Sequence, residues 1–240
     1  IFPSHNLNQN NRTTSYKNLS YRFFHMVDVI GEHDFIEIEY TAVIEDTNQV
    51  FDTTDEKTAK SNNIYNKNQK YNPVIICIGE HQILKGLDDA LKGKQLKEDS
   101  ITISPENAFG KKNPKLLQLV SQSSFKKQNI VPYPGLQINM DGIMGTVRTV
   151  TPGRVIVDFN HPLAGKTITY KVKIKRKVTD EKEKLDSIIS FYIKDFKTEI
   201  KQEEANISTK DSIPKEIQDL IKERITSLIH SIKKVTFKKE

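Results

Sequence analysis

The sequence predicts an α+β protein made of more than one module. Period-2 alternation of apolar and polar residues recurs between residues 34 and 178, which is typical of half-buried strands. Helical periodicity dominates only after residue 179, apart from one segment at 81–93. Charge is also uneven, since residues 34–109 carry 8 Lys/Arg and 14 Asp/Glu, whereas residues 110–160 carry 7 and 2. Such asymmetry in a chain of 240 residues indicates separate modules.

The first strands are predicted around a polar connection. DFIEIEYTAVIED, from Asp34, places Ile36, Ile38 and Tyr40 on one face and Phe35, Glu37 and Glu39 on the other. A turn at residues 46–49 leads to the short strand VFDTT. Residues 53–73 are polar and rich in Asn and Lys, which predicts a loop, and VIICIGE is a buried strand that ends at Gly79.

One helix is predicted in the first half of the chain. In HQILKGLDDALKG an apolar face is formed by Ile83, Leu84, Leu87 and Leu91, and Gly93 ends the helix. DSITISP then reads as a strand that stops at Pro105, because proline has no N–H to donate to the sheet.

A small β module is predicted after Gly110. LQINMDGIMGTVRTVTPGRVIVDFN is a run of short strands with a turn at residues 151–153. Its last strand is broken by His161-Pro162, and a new long strand runs from Lys166 to about Val178.

Residues 179–240 predict a third module of helices and a strand. Apolar stripes at helical spacing run through DEKEKLDSIISFYIKDF and SIPKEIQDLIKERITSLIHSI, and KKVTFKKE reads as a closing strand. The stripes fit either an intramolecular core or a homodimer interface, and the pattern alone leaves both open.

Composition excludes several classes of protein. The longest aliphatic run, VIICI, is far shorter than the ~20 residues that cross a bilayer, so no membrane association is expected. Cys77 is the only cysteine and the six histidines lack ligand spacing, so neither a metal site nor another cofactor is expected. Residues 1–25 lack the apolar core of a secretory signal, and the protein is expected in the cytoplasm. Nucleic acid is not expected as a partner, because the lysines are scattered.

Three blocks carry a resemblance to a known family. YTAVIEDTNQVFDTT, IGEHQILKGLDDALKG and ITISPENAFG, in this order and spacing, resemble the FKBP-type peptidyl-prolyl cis–trans isomerases. DFNHPLAGKTITYKVKI resembles the return from a domain inserted in the flap of SlyD-like and long archaeal members. The resemblance implies a bent antiparallel sheet around one helix, an inserted β-rich flap domain and a C-terminal α/β domain. The expected limits are 1–29 for a disordered or non-native tail, 30–109 with 162–178 for the isomerase domain, 110–161 for the insert and 179–240 for the last domain.

The resemblance also implies an apolar pocket that accepts a prolyl ring. The residues carried over as catalytic are Tyr40, Phe51, Asp52, Ile83, Leu84, Leu87, Phe109 and Tyr170. Val74 and Leu163 are expected to contact substrate as well. Relatives usually have tyrosine at the position of Phe109, so one hydroxyl donor to the substrate is missing here. Leu87 stands where many members have tryptophan, which implies a shallower floor.

The implied substrates are unfolded or nascent polypeptides that contain proline. In the relatives the insert grips unfolded chains, and its expected contact residues here are Leu117, Phe125, Tyr133, Met140 and Met144. About half of the insert's apolar residues are expected to fill its own core instead. The main alternative is a holdase chaperone with weak or no isomerase activity. A hydrolase that uses Asp158 and His161 is disfavoured, because no Ser or Cys nucleophile motif accompanies them.

Overall fold

The computed structural model describes residues 29–239. The expected tail over 1–29 therefore lies outside the described residues except at its last position. Val29 forms an antiparallel bridge with Gln95, and Ile30 is 1% exposed in the core of the first domain. Val29 is thus joined to the first domain, for which the expected start is residue 30.

The described residues form twelve strands and five α-helices. The strands are β1 Phe35–Ile44, β2 Gln49–Thr53, β3 Val74–Cys77, β4 Glu98–Ile103, β5 Leu117–Ser121, β6 Gln137–Met140, β7 Ile143–Thr151, β8 Arg154–Asp158, β9 Ile168–Lys177, β10 Phe196–Lys201, β11 Glu204–Thr209 and β12 Lys234–Lys239. The helices are α1 Glu56–Ser61, α2 Lys85–Leu91, α3 Gln122–Lys127, α4 Glu181–Ser190 and α5 Lys215–Leu228.

The first sheet has the order β2-β1-β9-β4, and β3 pairs with β1 beyond the end of β2. All of its pairings are antiparallel, and the mixture of helices with antiparallel sheets confirms the α+β class. The alternation read from β1 is confirmed, because Ile36 and Ile38 are fully buried against α2 whereas Glu37 and Glu39 lie on the outer face. Helix α2 packs Leu87 and Leu91 onto this inner face, which forms the first hydrophobic core.

Two details of the first domain differ from the sequence prediction. Residues 56–61 are helical rather than a loop, because the Asp55 carboxylate caps the helix by accepting the Thr58 N–H at 2.7 Å. Helix α2 begins at Lys85, so Ile83 and Leu84 belong to the preceding loop. The apolar periodicity extends past the N-terminus of the helix because both parts bury side chains against one core.

The insert is a separate four-stranded sheet, with the order β5-β8-β7-β6, covered on one face by α3. Two linkers join it to the first domain and are clasped together. Gly165 N–H donates to the Gly110 carbonyl at 2.8 Å, and the Asn160 side chain accepts from Asn113 N–H at 2.8 Å and donates to Asn113 O at 3.1 Å. These bonds fix the point at which the chain leaves and re-enters the first domain.

The last region packs α4 and α5 on a sheet of order β10-β11-β12, in which β12 is parallel to β11. The closing strand is confirmed, and the β10–β11 hairpin is an addition that the sequence reading missed. Most residues of both apolar stripes are buried in the core of this region, although Leu220 and Tyr192 are 37% and 40% exposed. The sequence argument for a homodimer therefore no longer applies to the buried stripes, and homodimerisation stays an untested prediction.

The hydrophobic core of this last region also includes residues of the first sheet. Phe35 of β1 and Cys77 of β3 are buried among Leu185, Ile189 and Ile225. The first and last regions therefore share apolar packing through the back of β1 and β3. Within residues 29–239, no helix is long and apolar enough to span a bilayer.

Candidate active site

Seven of the eight residues expected to form the catalytic pocket belong to the first hydrophobic core or pack against it, and Asp52 is hydrogen-bonded to one of them, Tyr40. These eight residues are called the prolyl site below. Tyr170 and Leu87 are buried in the first core, and Tyr40, Phe51, Ile83, Leu84 and Phe109 pack against that core while remaining partly exposed. Val74 and Leu163, expected to contact substrate, pack against it as well. The rings meet in pairs: Tyr40 and Tyr170 have centroids 5.6 Å apart, and Phe51 and Phe109 are edge to face at 6.0 Å.

A β-bulge explains how two consecutive residues both serve this site. In an unbroken strand, Phe51 and Asp52 would point to opposite faces of the sheet. The pairing of β1 with β2 shifts here, since Ala42 is opposite Asp52 whereas Val43 is opposite Val50. Phe51 is the extra residue, so it turns its ring toward Phe109 while Asp52 faces Tyr40.

Asp52 is the polar group of the site. Its carboxylate accepts the Tyr40 hydroxyl at 2.9 Å. Burial, together with the nearby Asp52 charge, raises the pKa of Tyr40 well above its ordinary value. Burial, with a smaller contribution from Asp52, raises the pKa of Tyr170 to about 12. Both phenols therefore keep their protons throughout the neutral range, and Tyr170 is able to act as a hydrogen-bond donor.

The Tyr170 hydroxyl is free among the described residues. No hydrogen bond to it is formed within residues 29–239, and its oxygen is not sealed from solvent. The residue as a whole is only 6% exposed, and its hydroxyl oxygen accounts for part of that exposure. Phe109, by contrast, has no hydroxyl to offer. Tyr170 is thus the one phenol of the described site whose proton is uncommitted.

The loop that precedes α2 is anchored by a buried carboxylate. The Asp88 side chain is 1% exposed and accepts the N–H groups of Gly79, at 3.1 Å, and His81, at 3.0 Å. It also lies 3.0 Å from His81 Nδ1. The Leu84 carbonyl accepts from Leu87 and Asp88, whereas the Leu84 N–H has no acceptor within residues 29–239. This N–H is available to a bound backbone.

His161 lies against the prolyl site, a contact that the sequence did not predict. Its imidazole stacks on Phe109 with centroids 4.8 Å apart and planes 2° apart. Its Nδ1 accepts the Leu163 N–H at 3.2 Å. The carboxylate of Asp158 is engaged by Arg148 and Asn160 instead, so the two residues of the hydrolase alternative have different partners. The His-Pro motif marked a linker in the sequence, but nothing there revealed which ring it covers.

A groove of about 1020 Å³ is lined by residues of β1, β4 and β9 together with α1 and residues 71–73. Its lining is mostly polar and charged, and Tyr40 is its only member from the prolyl site. Among residues 29–239, no three His, Cys, Asp or Glu side chains are grouped as metal ligands would be.

The expected contact residues of the insert have different exposures. Leu117, Tyr133 and Met144 are 46%, 58% and 56% exposed, and Met140 is partly buried. Phe125 is 4% exposed and belongs to the insert's own core, which corrects its assignment as a direct contact. It is the buried residue of α3, so packing of this short helix on the sheet consumes it.

Comparison with known proteins identifies the family. Residues 28–124 match the model of the FKBP-type peptidyl-prolyl cis-trans isomerases, and residues 118–163 match the model of the FKBP26 IF domain. A short-type peptidyl-prolyl cis-trans isomerase of Methanocaldococcus jannaschii is 30% identical over 151 residues, which is 62% of this chain and 95% of that protein. The isomerase SlyD of Helicobacter pylori is 30% identical over 157 residues, covering 62% of this chain and 80% of the relative.

A probable FKBP-type 16 kDa isomerase of Pseudomonas fluorescens is 37% identical over 108 residues, which is 42% of this chain and 71% of the relative. The bulge at Phe51, the buried Asp88 and the Phe51–Phe109 pair all lie within residues 28–124, the range that matches the isomerase model. The chain belongs to the FKBP-type peptidyl-prolyl cis–trans isomerases.

Proposed function

We propose that the X–Pro bond is isomerised at the prolyl site, with the proline ring seated against Leu87, and that the insert holds the unfolded chain nearby. The observation that supports the proposal is that Tyr40, Phe51, Leu84, Phe109 and Tyr170 all belong to, or pack against, the hydrophobic core that contains the buried Leu87. Five strands or loops contribute these residues: β1, β2, the loop before α2, the segment after β4, and β9. Apolar and aromatic side chains converging with a few polar groups are typical of ligand sites.

The chemistry of this reaction needs no nucleophile. Rotation about an X–Pro bond faces a barrier of ~18–20 kcal/mol, because twisting breaks amide resonance. A twisted amide has a less polarised carbonyl than the planar form, so an apolar surface disfavours the planar ground state relative to the twisted one. Each ~1.4 kcal/mol removed from the barrier accelerates the reaction about tenfold. The site acts by binding one conformer better than another.

Three polar groups would hold the substrate in register. The Leu84 N–H would donate to a substrate carbonyl, since it lacks an acceptor within residues 29–239. Asp52, which the Tyr40 hydroxyl orders, would be the polar side chain at the carbonyl end of the amide. The Tyr170 hydroxyl supplies the donor that Phe109 lacks. All three groups position or stabilise the amide, and none exchanges a proton with it.

The insert supplies a second contact for a long client. Its exposed apolar residues include Leu119, Val131 and Ile143, at 61%, 81% and 60%. Several exposed apolar side chains on one small domain are typical of a surface that contacts another molecule. Because the linkers clasp at Gly110–Gly165 and His161 stacks on Phe109, the insert begins next to the prolyl site. A client bound there is kept at high local concentration beside the catalytic surface.

A holdase without isomerase activity is the second candidate, and the missing hydroxyl at Phe109 favours it. The rate of cis–trans exchange at the X–Pro bond of a tetrapeptide, measured without a coupled protease, distinguishes an isomerase from a holdase. Wild type should accelerate exchange, and Asp52→Ala should reduce the effect about tenfold, whereas the control Asp89→Ala on the exposed side of α2 should retain it. No acceleration by the wild type would favour the holdase.

The role of the insert is tested by removing residues 111–160, which lie between the clasped linkers. The deletion should slow proline-limited refolding of a protein client at least about tenfold, as expected from the loss of local concentration. Exchange in the tetrapeptide should change less than twofold in the same protein. Equal losses in the two assays would contradict a separate client-holding role.

A further inference from the structure

The outer face of the insert sheet carries an apolar strip bounded by positive charge. Leu119 of β5 is paired with Ile156 of β8, and Leu117 lies two residues before Leu119 on the same face. These side chains are 61%, 38% and 46% exposed, whereas Val155 and Val157, which alternate with Ile156, are fully buried on the other face. The strip is therefore open, while the opposite face is closed by α3.

Both ends of the strip are cationic. At one end Arg154 is paired across the strands with Ser121, and it forms no ion pair within residues 29–239. At the other end Arg148 and Lys112 lie 3.0 and 3.7 Å from the carboxylate of Asp158. Two cations share this one buried carboxylate, so the end keeps an excess positive charge.

The surrounding insert has the same sign. Residues 110–160 contain 7 Lys/Arg and only Asp141 and Asp158 as acids. The segments 34–109 and 161–177 together contain 14 Lys/Arg and 14 Asp/Glu. The basic charge thus belongs to the insert and not to the whole molecule, and it would attract acidic segments over about one Debye length.

We propose that this strip selects extended, unfolded client segments in which carboxylates and apolar side chains share one face. In an extended segment, residues two apart share a face and lie ~7 Å apart. Arg154 and Ile156 are also two apart along β8. An apolar client residue over Leu119 and Ile156 would therefore place a carboxylate, two positions away, beside Arg154. This inference rests on the client-holding role proposed above and adds the class of client.

Three labelled peptides without proline test the strip, since they leave the prolyl site empty. All contain the same apolar residues at every fourth position. The first has Glu two residues from each apolar residue, the second has Lys there, and the third has Glu one residue away, on the opposite face. Binding to the full chain is followed by fluorescence anisotropy at low and at high salt.

The first peptide should bind at least about threefold more tightly than either of the others at low salt, as expected for partly exposed ion pairs. The difference in affinity between the first peptide and the Lys peptide should disappear at about 0.5 M salt, because salt screens such ion pairs. Arg154→Gln should remove most of the preference, whereas Lys57→Gln, an exposed lysine on α1, should leave it intact. A thermal melt checks that both variants remain folded.

The outcomes separate this inference from the role on which it rests. If all three peptides bind equally, the client-holding role stands and the charge selection is overturned. If none binds, the client-holding role itself fails. If Lys57→Gln reduces the preference as much as Arg154→Gln does, general attraction explains it and the strip is not the site.

Discussion

Two aromatic residues decide which hydroxyl the prolyl site can offer. Tyr40 already donates to Asp52, and Phe109 has nothing to donate, so Tyr170 is the remaining phenol of the described site. A single neutral hydrogen bond contributes about 0.5–1.5 kcal/mol, which corresponds to a rate factor of roughly 2–10. The absence of a hydroxyl at position 109 is therefore expected to weaken catalysis without abolishing it, and the same holds for removal of the Tyr170 hydroxyl.

Phe109→Tyr should raise the exchange rate of a proline tetrapeptide severalfold, because it adds a second donor beside the substrate carbonyl. Tyr170→Phe should lower it by a similar factor, since the remaining ring still fills the core. Tyr133→Phe, in the exposed part of the insert, is the matched control and should have no effect on the tetrapeptide. An unchanged or lower rate in Phe109→Tyr would contradict the proposed arrangement of the site.

At the scale of elements, the loop between β3 and α2, which is the proposed catalytic loop, is held by the helix that follows it. Asp88 points back from the first turn of α2 and collects the N–H groups of Gly79 and His81, which fixes the loop that carries Leu84. The helix itself approaches β4 closely, since a Cβ at Gly86 would lie 2.6 Å from the Asn107 carbonyl oxygen and from Ile103 Cγ2. Loop, helix and strand are therefore positioned as one unit.

Asp88→Asn should raise KM for a proline peptide more than it lowers kcat. The amide keeps one acceptor oxygen and loses the charge and the second oxygen, so the loop that presents the Leu84 N–H becomes less ordered. The free energy of unfolding should fall by about 1–3 kcal/mol, the usual cost of an imperfectly satisfied buried group. Asp89→Asn on the exposed side of the same turn controls for the change of residue type. A fall in kcat with KM unchanged would contradict the proposal that Asp88 orders the loop that presents the Leu84 N–H to the substrate.

Sequence patterns predicted the elements of the first domain better than its details, for physical reasons. Alternation in β1 and β9 is strong because one face of the sheet is buried. The bulge at Phe51 depends on pairing with β1, which no local pattern contains. The stacking of His161 on Phe109 joins residues 52 positions apart in the sequence. Within the site, the residue identities followed from the family resemblance, whereas the free Tyr170 hydroxyl required the three-dimensional arrangement.

At the scale of the whole molecule, the C-terminal region is fastened to the back of the isomerase domain. Phe35 and Cys77 are buried in the C-terminal core, and Arg176 of β9 bonds both Glu37 of β1 and Glu183 of α4 at 2.7–2.8 Å. Burial raises the pKa of the Cys77 thiol to about 12, so this cysteine stays protonated and is an apolar part of the interface. The last region therefore supports β1 and β3, the strands that flank the start of the catalytic loop.

One contact links the C-terminal region directly to that loop. Arg224 of α5 forms an ion pair with Glu80, which lies between Gly79 and His81. The Glu80 side chain is 12% exposed and that of Arg224 is 45% exposed, so water screens the pair only in part. The buried Asp88 accepts hydrogen bonds from the backbone of this loop, and the partly exposed Arg224 pairs with the side chain of Glu80 in the same loop.

Arg224→Gln should therefore raise KM for a proline tetrapeptide about twofold to fivefold, with little change in kcat or in thermal stability, as expected for a partly exposed ion pair. Arg224→Lys should restore most of the affinity, because it keeps the charge. Lys222→Gln, which removes an exposed cation bound to Asp219 on the same helix, should leave KM unchanged. If Arg224→Gln has wild-type KM, or if Lys222→Gln raises KM equally, the C-terminal region supports the fold without positioning the catalytic loop.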